Sequence, residues 1–292
     1  GNDNDWHVST FGNSSRTPLF VDSSSRPITT SILALATDEY EDGNARVMLY
    51  FGTGQQTPKS DTSDKQYANG QHHFYGVWDW DMNEWNNKSM EAKYVALNTS
   101  QAPSNPINTN NLLNQMVVNE MASSDPNIDR LRTLSTEEKV CWKGSGNCQG
   151  TNDHYGWRFA LPDSGDTANE QIIYSPAYIG GAVVVNTAVP PSSESLCEIG
   201  VQSGWTMSFN PSTGGGMPED FFDRGSGFDS GADTVAGARI GGVGTPTEVV
   251  YQGESYLVTQ TSSGSAVLAD INPSLGGGQG VTRVSWRELL VQ

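Results

Sequence analysis

Residues Arg46 to Gly54 read Arg-Val-Met-Leu-Tyr-Phe-Gly-Thr-Gly, and no other stretch limits the possible folds as tightly. The apolar run Val47 to Phe51 is too short for a helix and is closed by a Gly-Thr-Gly turn. A run of that length with aromatic and branched residues between turn signals is a buried strand. A second apolar run, Ile28 to Ala36, precedes it across an acidic linker ending in Asp42-Gly43, a hairpin signal. A third, Phe74-Tyr75-Gly76-Val77-Trp78-Asp79, follows a polar excursion from Gln55 to Gln71. Three consecutive strands with one long loop at a single end imply antiparallel sheet in an all-β protein.

The same punctuation continues to the C-terminus. Strands are expected near Trp6-His7-Val8 and Pro18 to Val21, at Tyr94 to Leu97, Leu131 to Thr136 and Tyr155 to Leu161. Further ones are expected at Tyr178-Ile179, Ala182 to Val189, Cys197 to Val201 and Trp205 to Phe209. The last segment adds Ala238 to Ile240, Glu248 to Tyr251, Tyr256 to Thr259, Ala266 to Ala269 and Val281 to Leu290. Pro162, Pro190-Pro191 and Pro211 stop the runs before them, because proline cannot continue a central ladder. Leu112 to Met121 fits a helical face through Leu112, Leu113, Met116, Val117 and Met121, and its Val117-Val118 pair fits a strand equally well. Glu84 to Asn111 is expected to be mostly loop. The spacing implies about three to four small antiparallel sheets of about four strands, the size of a propeller blade.

Charge narrows the function. The 292-residue chain has 16 basic and 33 acidic residues, a net charge of −17. Such a surface lacks the basic footprint for a nucleic-acid backbone or anionic lipid, so neither partner is expected. No apolar run is long enough to span a bilayer as a helix, and no signal peptide opens the chain. Of three cysteines, Cys141 and Cys148 flank the turn-prone loop Trp-Lys-Gly-Ser-Gly-Asn and are candidates for a disulfide in an oxidising compartment. Cys197 is left over and reads as a small buried apolar residue.

Catalytic signals are sparse. His72-His73 is the one histidine pair, and neighbours on a strand point to opposite faces, so they cannot share a metal. No Gly-x-Ser-x-Gly elbow is present. Gly214-Gly215-Gly216 and Gly276-Gly277-Gly278 lack the following Lys-Ser/Thr of a phosphate loop and read as turns. Oxygen ligands at alternate positions are the mark of a calcium loop. Asp223, Asp229 and Asp233 have that alternation, with glycines where further carboxylates would stand, and they are candidate calcium ligands. Asp79-x-Asp81-x-Asn83 also alternates, but Trp78, Trp80 and Trp85 around it read as packing.

Taken in order, Pro27-Ile28-Thr29-Thr30, Val47 to Gly54, Tyr75 to Asp79, Gly156-Trp157 to Pro162, Ile173 to Pro176, Gly204-Trp205, Phe222-Asp223 and Ser285 to Leu289 resemble the PilY-type tip proteins of type IV pili. The resemblance implies a modified, quinoprotein-like β-propeller, with this chain as its last three to four blades and the missing blades before Gly1. It also places a degenerate calcium loop at Asp223 to Asp233. Asp3-Asn4-Asp5 is not the family's Asp-x-Asp-x-Asp-Gly loop, and no Arg-Gly-Asp tripeptide occurs.

By the same resemblance the chain is a non-enzymatic component acting in pilus assembly, retraction control and surface adhesion, including twitching motility. It would be exported through the periplasm to the pilus tip or outer cell surface. Its partners would be pilin or minor pilin subunits, the upstream part of the same protein, and a host or abiotic surface. It would have no cofactor other than calcium. The competing readings are a secreted quinone-dependent or carbohydrate-active enzyme on a propeller scaffold, and a purely structural calcium-stabilised domain.

Overall fold

The structure is a computed structural model describing residues 17–37, 41, 43–57, 67–89, 93–98, 100–125, 128–191, 203–222, 233–272 and 282–283. The expected strands around Trp6 and Cys197 lie outside these residues.

The expected three-strand unit forms the centre of a six-stranded sheet. β2 (Leu33–Ala36), β3 (Val47–Gly52) and β4 (His73–Trp78) are antiparallel neighbours, with Ala36 opposite Val47 and Phe51 opposite Tyr75. The acidic linker closes as expected, with Glu41 and Asn44 exchanging main-chain hydrogen bonds around Gly43 at φ 79°. β9 (Gly156–Ala160) joins β4 antiparallel, and β6 (Leu113–Gln115) joins β9 parallel. At the far edge β17 (Thr282–Arg283) pairs with β2. A short parallel pair, β1 (Phe20–Val21) and β5 (Ile107–Asn108), forms a separate two-stranded sheet.

The second six-stranded sheet runs in the order β10 (Ala177–Ile179), β11 (Ala182–Asn186), β12 (Thr206–Phe209), β13 (Asp233–Ala238), β8 (Arg130–Ser135) and β7 (Asn119–Ala122). It is the middle layer. Val183, Val185, Met207 and Phe209 face the aromatic core of the first sheet, while Ala182, Val184, Leu131 and Val235 face a second core. Burial on both faces explains why Ala182 to Val185 is an unbroken apolar run rather than an alternating one. The third sheet, β14 (Gly242–Tyr251), β15 (Glu254–Thr261) and β16 (Ala266–Ile271), closes that second core with Leu257, Ala269 and Ile271.

Several expectations shift. Leu112 to Met121 is not a helix: β6 and β7 divide it, leaving Met116 and Val118 exposed between them. Tyr94 to Leu97 is not a strand. It makes one bridge, Tyr94 to Ala45, and hangs on main-chain bonds from Val95 to Ala45 and Leu97 to Trp80. A six-residue helix, α1 (Asn83–Lys88), stands where a loop was expected. It buries none of its residues, so it has no apolar face to advertise it. β13 starts at Asp233 and ends at Ala238, earlier than the expected Ala238 to Ile240, with a register shift between Val235 and Gly237.

Two buried polar sets tie the layers. Arg132 and Glu170 are fully buried and bonded in both arms, Nη1 to Oε1 and Nη2 to Oε2, each at 2.8 Å. Arg132 Nε donates to Glu120 at 2.8 Å, Thr187 Oγ1 donates to Glu170 at 2.6 Å, and the guanidinium lies 3.8 Å from the Trp205 ring centroid. Asn186, also fully buried, accepts from Thr206 and donates to Gly244 O and Thr259 Oγ1, joining the second sheet to the third.

The first and second sheets meet on Trp157. Its indole lies across Gly76, where an added Cβ would come within 2.4 Å of the ring, and against Gly214, where it would come within 2.2 Å. Its Nε1 donates to Pro211 O at 3.0 Å, which also accepts from Tyr50 OH at 2.9 Å. Gly76→Ala is therefore expected to destabilise the chain by about 1–3 kcal/mol through overpacking, read as a shifted urea midpoint with unchanged slope. Gly146→Ala, with open space around its Cβ and, like Gly76, no left-handed φ, serves as the control for backbone effects alone.

Candidate functional site

The excursion from Glu84 to Asn111 and the Cys141 to Cys148 loop come together at one end of the first sheet. Asn98 organises the first of these: its Oδ1 accepts from the N–H groups of Ser100 and Gln101 and from Ser100 Oγ, and its carbonyl accepts from Ala102. The second is closed by a Cys141–Cys148 disulfide with Cα atoms 5.5 Å apart. Within it Asn147 accepts from Trp142 N and donates to Val140 O. Cys141 N donates to His154 Nδ1, and Lys143 N to His154 O.

Beneath the loop lies a cation–aromatic stack. Trp142 is buried edge-on to Trp78 at 5.9 Å, and the buried Arg46 guanidinium sits 4.5 Å from the Trp142 centroid and 5.2 Å from that of Trp78. Arg46 is also ion-paired to Glu41. The residue immediately before β3 thus supports this end of the molecule.

Between the two loops is a cleft of about 430 Å³ lined by Ser100, Gln101, Ser104, Lys143 and Tyr155. Burial, then Asp153, pushes the Tyr155 phenol up, so it stays a neutral donor. Among the described residues the lining holds one cation, amides and hydroxyls, but no carboxylate, histidine or thiol. It can therefore hydrogen-bond a polar or anionic group but lacks a pair for proton transfer.

The sequence-marked residues fall elsewhere. Asp223 and Asp229 lie outside the described residues. Asp233 opens β13, in register with Ser135. Among the described residues no three His, Cys, Asp or Glu side chains come together as a metal site. Asp79, Asp81 and Asn83 do not form a ligand loop: Asn83 begins α1 and donates to Leu97 O at 2.6 Å. Asp79 is pushed up to about 6, first by burial and then by Asp81, against the opposing Asp81 main-chain bond.

His72 and His73 are both buried. His72 Nδ1 meets Thr53 Oγ1 at 3.2 Å, and His73 stacks on Tyr75. Tyr75 OH donates to Asp22 at 2.7 Å, and Asp22 is also paired with Arg26. Burial, then Arg26 and Arg158, holds His73 down at about 4. The pair is neutral structural packing at neutral pH. Sequence reasoning missed the cleft because its parts are distant along the chain; Lys143 inside the cysteine-bounded loop was the one local signal.

No family model matches the chain. The type IV pilus biogenesis factor PilY1 homolog of Xylella fastidiosa is 26% identical over 296 residues, covering 99% of this chain and 19% of that protein. The crystal structure of the Pseudomonas aeruginosa PilY1 C-terminal domain matches with a TM-score of 0.56 at 20% identity, over 89% of this chain and 48% of that one. This chain is similar to the C-terminal part of PilY1. It spans about a fifth of the curated relative. The structural likeness gives the fold: the sheets described above are the β-propeller-like array of the PilY1 C-terminal domain. Within this PilY1-like chain, no described helix is long and apolar enough to cross a membrane.

Three outcomes follow from these groups. A folded-state pKa above the ordinary 3.8 means that ionised Asp79 costs stability above about pH 6, a cost that disappears as pH falls toward 3.8. Asp79→Asn should therefore raise stability at pH 7.5 by about 1–2 kcal/mol, discounted for partial exposure, with the gain vanishing near pH 4. His73 acts oppositely, since its depressed pKa loses stability as pH falls from 6.5 to about 4. Urea titrations of each variant across that range separate the two. Opening the disulfide with Cys141→Ser/Cys148→Ser, a loop of sequence separation 7, should cost about 2–3 kcal/mol in a thermal melt.

Proposed function

We propose that this chain is the C-terminal propeller part of a non-enzymatic type IV pilus component. The observation that carries the reading is similarity to a pilus biogenesis factor over 99% of the chain. A fold likeness to the C-terminal domain of PilY1 supports it independently. In this reading the propeller is a rigid scaffold that presents loops, and the loops do the binding. The cleft loop 98–104 and the disulfide-closed loop 141–148 are the ones held in place by dense local bonding. A disulfide suits an oxidising compartment, consistent with export to the pilus tip or outer surface. Assembly support, control of retraction, surface adhesion and contact with minor pilins belong to this proposal.

The test is made in the bacterium that carries the parent gene. Deleting the encoded segment should sharply reduce surface pili counted by electron microscopy, and pili should return when retraction is also disabled. Alanine at Lys143 and Gln101 together should lower adhesion to a surface while leaving pilus number unchanged. Normal piliation and normal adhesion in the deletion strain would overturn the reading. A turnover activity for the purified chain would replace it with an enzymatic one.

A further inference from the structure

The third sheet has an edge that lacks the usual protection. In the order β14, β15, β16, strand β14 is outermost, and no described residue pairs with its free side. Its first half is guarded. The register shifts between Val243 and Thr247, Gly244 stands at φ 79°, Pro246 has no N–H to offer, and the Gly244 carbonyl is taken by Asn186. These are the devices by which proteins blunt a sheet edge. The second half, Thr247-Glu248-Val249-Val250-Tyr251, has no proline, lysine or bulge.

Its backbone polarity can be read from the turn. Gln252 at φ 52° and Gly253 at φ 88° make a two-residue hairpin loop, with Tyr251 opposite Glu254. In such a hairpin the residues flanking the turn exchange hydrogen bonds, and bonded and non-bonded pairs then alternate. Tyr251, Val249 and Thr247 thus bond to β15, while the N–H and C=O groups of Glu248 and Val250 point outward. The open ladder is about 17 Å long at the usual strand rise.

The side chains around the ladder show what would pair with it. Val249 and Tyr251 stand on the outer face with Tyr256, Val258 and Leu268, and Val250 is 64% exposed where the sheet overhangs its core. The charged residues of the three strands are Glu248, Glu254 and Asp270, and residues 240–281 contain no lysine or arginine. A second copy would bring another −17 chain against this edge, which disfavours self-pairing. We propose that Thr247–Tyr251 of β14 is a docking edge for an extended, lysine- or arginine-bearing strand of a partner protein. The incoming backbone takes the open ladder, its apolar side chains cover Val249 and Tyr251 on the outer face, and its cationic ones, on the opposite face, stand beside Glu248, with Glu254 adding to the acidic field at the hairpin end. The inference is independent of the pilus reading.

The probe is a fluorescein-labelled peptide of alternating lysine and valine, followed by fluorescence anisotropy on the 292-residue chain. Saturable binding that weakens with salt is expected. A control peptide with prolines at the bonding positions should not bind. Val250→Pro, which removes an outward N–H without touching the β15 pairing, should weaken binding by about tenfold or more. Glu248→Lys/Glu254→Lys keeps the ladder and should shift preference to a glutamate-valine peptide, so the proposal stays testable if the proline variant unfolds. Absence of probe binding, or binding indifferent to these changes, would overturn the proposal. So would dimerisation through this edge in sedimentation, or slow hydrogen exchange at Glu248 and Val250 in the free chain.

Discussion

One indole occupies the space that two glycines leave open. Trp157 lies flat between Gly76 and Gly214 and is pinned at its nitrogen by Pro211 O. β4, β9 and the turn after β12 can approach only because neither glycine has a side chain, and the aromatic core spreads outward from there. Phe74 and Phe209 pack on the ring at 5.8 Å each, and Tyr50 shares its acceptor. Large rings packed edge-on and offset contribute both buried area and directional contact. The contact is local to three short segments, yet it fixes the distance between two six-stranded sheets.

Charge is handled differently on the inside and the outside. Inside, Arg132 is surrounded by Glu120, Glu170 and the Trp205 face, so a group that would be costly to bury alone has its donors answered. Arg46 is likewise enclosed by Trp78, Trp142 and Glu41. Among the described residues two cations, Arg46 and Arg132, and two carboxylates, Asp22 and Glu170, are buried, so the acidic surplus of the chain stays on the surface. That surface is suited to cationic partners and unsuited to phosphate backbones.

The strands that could be read from sequence were those buried on at least one face. Val47 to Phe51 and Ala182 to Val185 carry unbroken apolar runs; Gly52 closes the first, and Pro190 stops the extended run Ala182 to Val189 that contains the second. The elements that escaped are those whose residues stay in water or depend on distant partners. α1 buries nothing, and Tyr94 to Leu97 is apolar enough for a strand but finds only Ala45 and Trp80 to bond. Cys141 and Cys148 could be paired from their spacing and the turn residues between them. The cleft could not be foreseen, because Ser100 and Lys143 become neighbours only after the first sheet has formed. The Asp79 to Asn83 alternation, whose tryptophans read as packing rather than as a ligand set, leads into α1, with Asn83 used to hold the chain at Leu97.

The strand order also sets the sequence of events in folding. β8 finds its neighbour in β13, with Thr133 opposite Val235, and β2 finds its outer neighbour in β17, with Ala36 opposite Thr282. Local hairpins such as β2–β3–β4 and β14–β15–β16 can zip as soon as they emerge, but neither large sheet can close until nearly all of the chain is present. Closing such long loops is slow, and half-built sheets carry open edges while they wait. A chain of this topology that folds after export therefore passes through a vulnerable interval, whose length is set by delivery of its last strands rather than by the stability of its first.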